Sequence, residues 1–367
     1  MNEEEIKIDK HRFEASPQFI RLKQEKSIFD NGKPYFTYLL LLVQIVLFFL
    51  MEIKGGGSNS ATLIRFGAKV NPLMIQGEWW RFFTPVFLHI GYLHIIMNSI
   101  ALFFVGTLVE RIFGNIRFLL IFLFAGFTGT LASFVFSSSI SAGASGAIFG
   151  CLGALLFFGI VYPKLFFRTI GINVLIVVVL DLGFGFIVSG IDNAGHIGGL
   201  IGGFLVTGAL YFPKRKKVLR QSINLLLCLA FTIGFLIIGF SNSTKNLNTH
   251  ASYALAQTYV EDEEFDQAYS VLKDVQSSGV KSADLFYMLS IVELKKGMQN
   301  QAKQHLYQVI NMDSQYHEAY YYLALIFTNN YDFKKALGYA EKALELKPSQ
   351  KEYKELVGKI NDFKADF

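Results

Sequence analysis

Charge is scarce in this chain of 367 residues: Asp, Glu, Lys and Arg make up 17%, where soluble domains carry about a quarter. Cysteine is scarcer still. The two cysteines, Cys151 and Cys228, both fall inside apolar runs, which argues against a disulfide framework and against a cysteine-ligated zinc site. Arginine is missing from residues 249–367, where 13 lysines face 17 acidic residues, so the net charge of +5 comes from the other part of the chain. No clustered basic face with aromatic platforms is present, and a nucleic-acid partner is not expected. No short cleavable signal peptide is visible ahead of the first apolar run.

Apolar residues fill the gap. They account for 52% of the chain, with 37 phenylalanines, and concentrate between residues 35 and 240. A membrane helix needs about 20 apolar residues, because the hydrocarbon core is about 30 Å thick. Seven stretches qualify, near 35–53, 92–113, 117–137, 145–162, 169–189, 194–212 and 221–240. The second, fourth and sixth carry polar or glycine-rich stretches and are expected inside the bundle, since lipid tails cannot satisfy polar groups. The expected fold is all-α: a polytopic membrane bundle in the lipid bilayer, followed by helical repeats.

Basic residues in short loops set orientation. Lys214, Arg215, Lys216, Lys217 and Arg220 lie between the last two stretches, and seven Lys/Arg lie in residues 1–34. Loops 138–144 and 189–194 have none. This predicts a cell-membrane protein with a cytoplasmic N-terminus and an extracytoplasmic C-terminal domain. Loop 54–91 fits less neatly, with Lys54, Arg65, Lys69 and Arg81 on the outer side.

Residues 249–367 repeat. Ala268, Ala302 and Ala336 are 34 residues apart, as are Leu255, Leu289 and Leu323, and the small residues Ala256, Ser290 and Ala324. That period, with small residues where paired helices touch, resembles the tetratricopeptide (TPR) repeat. Such stacks make concave surfaces suited to a protein or peptide partner. The alternative is a spacer or a dimerisation element. The expected organisation is a cytoplasmic segment 1–34, a membrane core 35–212, a basic loop and seventh helix 213–240, and repeats 249–367.

Polar residues at membrane depth are costly, and each is a functional candidate. Ser145 sits in SAGASGAIFG at the mouth of the fourth stretch, flanked by Gly143 and Gly146. Free N–H groups and the positive dipole end of a helix N-terminus suit an oxyanion. His196 lies in AGHIGGLIGG, beside glycines 195, 199 and 203. That spacing allows another helix to come close, and a histidine there can take a proton from a serine. His94 and Asn98 are four apart in HIGYLHIIMN, with His89 in the loop before them. They lack the neighbouring carboxylate or thiolate of a metal site, and the H-E-x-x-H pattern is absent, so oxyanion donors are the better reading. Taken singly, small residues beside a serine more often serve helix packing, and a lone membrane histidine is as often bonded to a carbonyl. Asp181 and Asp192 could suggest a triad. Asp192 is better placed to cap the helix that follows, and both are left out of the catalytic set.

Together these motifs resemble the rhomboid intramembrane proteases. The resemblance runs from about Trp80 to Gly203. It includes Trp80-Arg81, His89, His94 and Asn98 in H-x4-H-x3-N, Gly106-x3-Glu110-x3-Gly114, the GASG around Ser145 and the histidine of GHIGGLIGG. It implies a catalytic dyad of Ser145 and His196 without an acid. It also implies an oxyanion hole of Asn98, His94 and the Ser145 backbone N–H, with Gly143 counted in that group. Trp80-Arg81 and Glu110 are expected to be structural. Neither metal nor cofactor is needed, and the implied substrates are transmembrane proteins. Phe149 stands where some members have tyrosine, and Gly195 where many have alanine. The alternative is a catalytically inactive adaptor or chaperone of the same fold that binds partners through its repeats.

Overall fold

The computed structural model describes residues 25–188, 190–212, 217–241 and 249–365. They are helical, with one isolated antiparallel bridge, Lys69–Ser141, and divide into two compact units, Met1–Asn246 and Leu247–Phe367. The basic residues 214–216, expected to form part of a cytoplasmic loop, lie outside the described residues.

In the first unit, helices occur at all seven apolar stretches: α1 Tyr35–Lys54, α2 Gly91–Phe113, α3 Asn115–Phe136, α4 Ser145–Val161, α5 Gly171–Ile187, α6 Asn193–Leu210 and α7 Val218–Ser241. Among the described residues, α1, α2, α3 and α7 are each long and apolar enough to cross a membrane. The fifth stretch is a bent pair, with Pro163–Thr169 turned 73° from α5. Helix α4 is apolar but has 17 residues, about 25 Å of helix. It is therefore shorter than the hydrocarbon core.

The interior differs from expectation at one helix. The central layer is α3, α4 and α6, not α2, α4 and α6: two-thirds of the α3 span is buried but only 28% of α2. The reason is side-chain size. Gly198 and Gly202 of α6 sit against Thr128, Gly129 and Ala132 of α3, while Gly199 and Gly203 sit against Gly146 and Gly150 of α4. A methyl group at any of these four α6 positions would run into the facing helix. Two glycine faces on α6 thus let two neighbours approach at backbone distance. Helix α2 buries Asn98, but its Leu93, Met97, Ile100 and Phe104 remain exposed. A wide turn at Leu102–Gly106 shifts the register of its lower half against its upper half.

That lower half carries Glu110, which is fully buried. Its carboxylate accepts from the N–H groups of Phe36 and Thr37 at 3.0 and 2.9 Å, from Thr37 Oγ1 at 2.8 Å and from Asn115 Nδ2 at 2.5 Å. It thus caps α1 and ties it to α2. Glu110→Ala would take the acceptor from the Phe36 and Thr37 N–H groups and is expected to cost about 3 kcal/mol, read as a lower melting temperature in detergent. An unchanged melting temperature would refute the tie.

Loop 54–91 is folded and internally bonded. Arg81 is buried and donates to the carbonyls of Ile64 and Ala68 at 2.9 and 2.8 Å, and it pairs with Glu78. Trp79 and Trp80 are exposed. Trp79 also meets Phe240 of α7 with ring centroids 5.2 Å apart, which joins the seventh helix to the loop.

The second unit is three helix pairs and a terminal helix: α8 Thr249–Glu261 with α9 Phe265–Ser277, α10 Ala283–Lys295 with α11 Gln299–Met312, α12 His317–Asn329 with α13 Phe333–Leu346, then α14 Lys351–Ala365. The first helices of the pairs and the terminal helix begin 34 residues apart. Ala268, Ala302 and Ala336, Leu255, Leu289 and Leu323, and Ala256, Ser290 and Ala324 are all buried, so the repeated positions are the packing positions. Tyr353, Leu356 and Ile360 of α14 cover the last pair. This is a TPR-like array with a closing helix.

Candidate active site

Ser145 is the first residue of α4, and no side chain caps that helix. The first backbone N–H groups of α4 therefore have no intrahelical acceptor. The loop before it passes through Gly143, whose φ is +144°, a conformation that favours glycine. Glycine is needed there for space as well. A Cβ at 143 would lie 2.6 Å from His94 Cε1 and 2.9 Å from its Nε2, with Ser145 Oγ 3.7 Å away. The hydroxyl of Ser145 and the edge of His94 thus converge on one small volume.

His196 lies near the start of α6, and its Nε2 is 2.9 Å from Ser145 Oγ. The close α4–α6 packing brings the two together across 51 residues of sequence. Phe149, one turn after Ser145, stacks on the imidazole with centroids 4.4 Å apart and planes 13° from parallel. His196 Nδ1 is buried and has no hydrogen-bond partner among the described residues. Neither aspartate is bonded to it. Asp192 accepts from Gly195 N–H at 3.0 Å, capping α6, and from the hydroxyls of Ser133 and Ser141. Asp181 lines the cavity from α5, on the stripe with Val177 and Phe184.

His94 Nδ1 accepts from Ile90 N–H at 3.3 Å. In a neutral ring the proton is then on Nε2, the atom that faces Gly143. Behind it His89 is fully buried and meets His94 edge-on at 5.3 Å. Burial, with some help from His94, pushes the His89 pKa down to about 3, so it stays neutral at ordinary pH. Asn98 is buried and donates to the His94 carbonyl at 2.9 Å, which leaves its second amide hydrogen for another acceptor.

Gly143 enters the site differently from its expected place among the oxyanion groups. Its N–H donates to Pro85 O at 2.9 Å and is occupied. Its contribution is the missing side chain. Among the described residues no group of three or more His, Cys, Asp or Glu is arranged to hold a metal. The sequence reading missed Lys69, Ser133 and Ser141, whose side chains or backbone fasten the loop before Ser145. Lys69 stood out only as a cation on the wrong side of the charge bias.

His94, Asn98, Ser141, Gly143, Ser145, Asp192 and His196 border one cavity of about 610 Å³. Its sides are α2 and α5, and Ser145 and His196 lie in its wall. The fold and site define a multi-pass membrane protein with a serine–histidine pair beside a cavity enclosed by apolar helices. The rhomboid domain matches residues 76–214. The chain is 33% identical to putative rhomboid protease YdcA of Bacillus subtilis (strain 168), over 54% of this chain and 99% of YdcA. It belongs to the rhomboid family. It is also similar to rhomboid protease GluP of the same organism, at 46% identity over 83% of this chain, and spans 60% of that protein's length. Its likeness to the crystal structure of YrrB, titled a TPR protein with an unusual peptide-binding site, has 24% identity and a TM-score of 0.30, over 40% of this chain and 73% of YrrB.

Proposed function

We propose that this chain is a serine endopeptidase that cleaves membrane proteins in or near their transmembrane segments. The observation that carries the reading is the 2.9 Å contact between Ser145 Oγ and His196 Nε2 at the wall of the cavity. In this mechanism Ser145 Oγ attacks the scissile carbonyl carbon and its proton passes to His196 Nε2. The carbonyl oxygen becomes an oxyanion, which accepts from His94 Nε2–H, Asn98 Nδ2 and the Ser145 N–H. The C–N bond then breaks and His196 returns the proton to the leaving amine. Water then attacks the serine ester as His196 takes its proton, and the bond to Oγ breaks as His196 passes that proton to Ser145 Oγ, which releases the second product and restores both groups.

The cavity supplies room for an unwound stretch of substrate, whose carbonyls a helix would hide. The N-terminus is assigned to the cytoplasm and the repeats to the outer face. Within loop 54–91, Lys69 and Arg81 are buried on backbone carbonyls, so they are not free cations in the charge bias. The TPR-like unit is assigned to binding a protein partner or the substrate.

The test is a fluorophosphonate probe on the detergent-solubilised full chain, with peptide mapping of the adduct. An adduct on the Ser145 peptide is expected. An adduct elsewhere, or none on folded protein, overturns the reading. Asn98→Ala is expected to lower kcat on a single-pass fusion substrate roughly 10²- to 10³-fold with KM nearly unchanged. A change confined to KM would remove Asn98 from the oxyanion group.

A further inference from the structure

Lys69 lies between the short helices Ser60–Phe66 and Asn71–Ile75, outside the spanning helices, and is fully buried. Its Nζ donates to the carbonyls of Ser137 and Ser139 at 2.5 and 3.0 Å. Its backbone pairs with Ser141 in both directions, at 2.9 and 3.2 Å. Asn71 adds donations to Phe134 O and Ser137 O at 3.1 and 3.2 Å. The loop that ends at Ser145 is thus held at residues 137, 139 and 141. Asp192 holds it again through the Ser141 hydroxyl at 2.8 Å, and the same carboxylate caps the helix that carries His196. One network therefore fixes the serine's loop and the histidine's helix.

A buried ammonium is a costly way to fill space. Burial pulls the Lys69 pKa down to about 8, while the Asp192 carboxylate draws it back up. A methionine would occupy similar volume without that cost, so space-filling does not account for a lysine here. The carbonyls it meets do. Both belong to a loop with no regular structure of its own, and an ammonium can donate to several at once.

We infer that Lys69 is a positioning residue, whose ammonium sets the conformation of the loop 137–144 that delivers Ser145 to His196. The effect on catalysis rests on Ser145 being the nucleophile; the effect on the loop does not. The experiment compares full-length wild type, Lys69→Met and Lys69→Arg in detergent by three readouts. These are melting temperature, hydrogen exchange of residues 137–144, and the rate of fluorophosphonate labelling at Ser145.

Lys69→Met takes a donor from the carbonyls of Ser137 and Ser139 and is expected to melt somewhat below the wild-type temperature, to exchange faster in 137–144, and to label roughly tenfold to a hundredfold more slowly, a loss out of proportion to the change in melting. Lys69→Arg keeps a charged donor and is expected to recover part of both losses. Wild-type exchange in the loop of Lys69→Met would overturn the inference. So would slower labelling that only tracks a lowered melting temperature, because that is the mark of a merely structural residue. Faster loop exchange in a chain whose wild type takes up no probe would uphold the positioning and sink the protease reading instead.

Discussion

Ser145→Ala is expected to abolish both fluorophosphonate labelling and cleavage of a single-pass fusion substrate, lowering the rate by at least roughly 10⁴-fold. His196→Ala is expected to do the same within a factor of ten, because the two act as a unit and either loss disables the whole. Ser145 Oγ lies 2.9 Å from His196 Nε2, and among the described residues no carboxylate is bonded to His196 Nδ1. The alanine variant should fold, since Ser145 starts its helix and caps nothing. Equal melting temperatures for wild type and both variants would secure the comparison. Cleavage persisting in Ser145→Ala would remove it as nucleophile. Cleavage persisting in His196→Ala alone would assign the proton transfer to another group.

Gly199→Leu is expected to destabilise the membrane unit by on the order of 3 kcal/mol or more and to remove activity from whatever still folds. Even the Cβ of Gly199→Ala would collide with the carbonyl oxygen of Gly146, one residue past Ser145. The backbone of α4 cannot yield there without moving the serine. A shift of about 1 Å between reacting groups is enough for roughly a 10²-fold loss, so Gly199→Ala should separate activity from folding. Gly234 on α7 has nothing within 4 Å of its Cβ position, and Gly234→Ala is the matched control, expected to leave both properties unchanged. Wild-type stability and cleavage in Gly199→Ala would show that α4 and α6 are not held by this close approach.

Much of the plan was legible before any coordinates. The 34-residue spacing of Ala268, Ala302 and Ala336 marked the helix pairs because small residues are required wherever two helices touch, and that requirement recurs with the repeat. The apolar stretches marked helices, and α1, α2, α3 and α7 are long and apolar enough to cross a membrane, because hydrocarbon demands length and low polarity. Ser145, His196, His94 and Asn98 stood out because polar groups at that depth are rare.

Loop 54–91 was not legible. Its buried Lys69 carries the same charge as a free surface cation, and nothing in its neighbours shows that carbonyls from a distant segment will surround it; Arg81 was marked as structural only by the rhomboid resemblance. The misplacement of α2 has a similar origin. Polar residues on α2 signal that one face needs partners, but whether a helix is central depends on what its other faces can touch. Helix α3 had no polar or charged signature as strong, and it became central through Gly129, Ala132 and Thr128, whose small size matters only once α6 presents Gly198 and Gly202 to them.

The sequence by itself determined that the chain is helical, where its apolar helices lie, and which side chains are candidates for chemistry. These follow from local periodicity and from the cost of polar groups in hydrocarbon. Only the tertiary structure decided that Ser145 Oγ stands 2.9 Å from His196 Nε2, that Asp192 also holds the loop through Ser141, and that the Gly143 N–H is taken by Pro85 O. Those outcomes depend on distances between segments tens of residues apart: the glycine spacing of α6 permits a close neighbour, but which helix comes there, and at what height, is set only once the partner is packed against it.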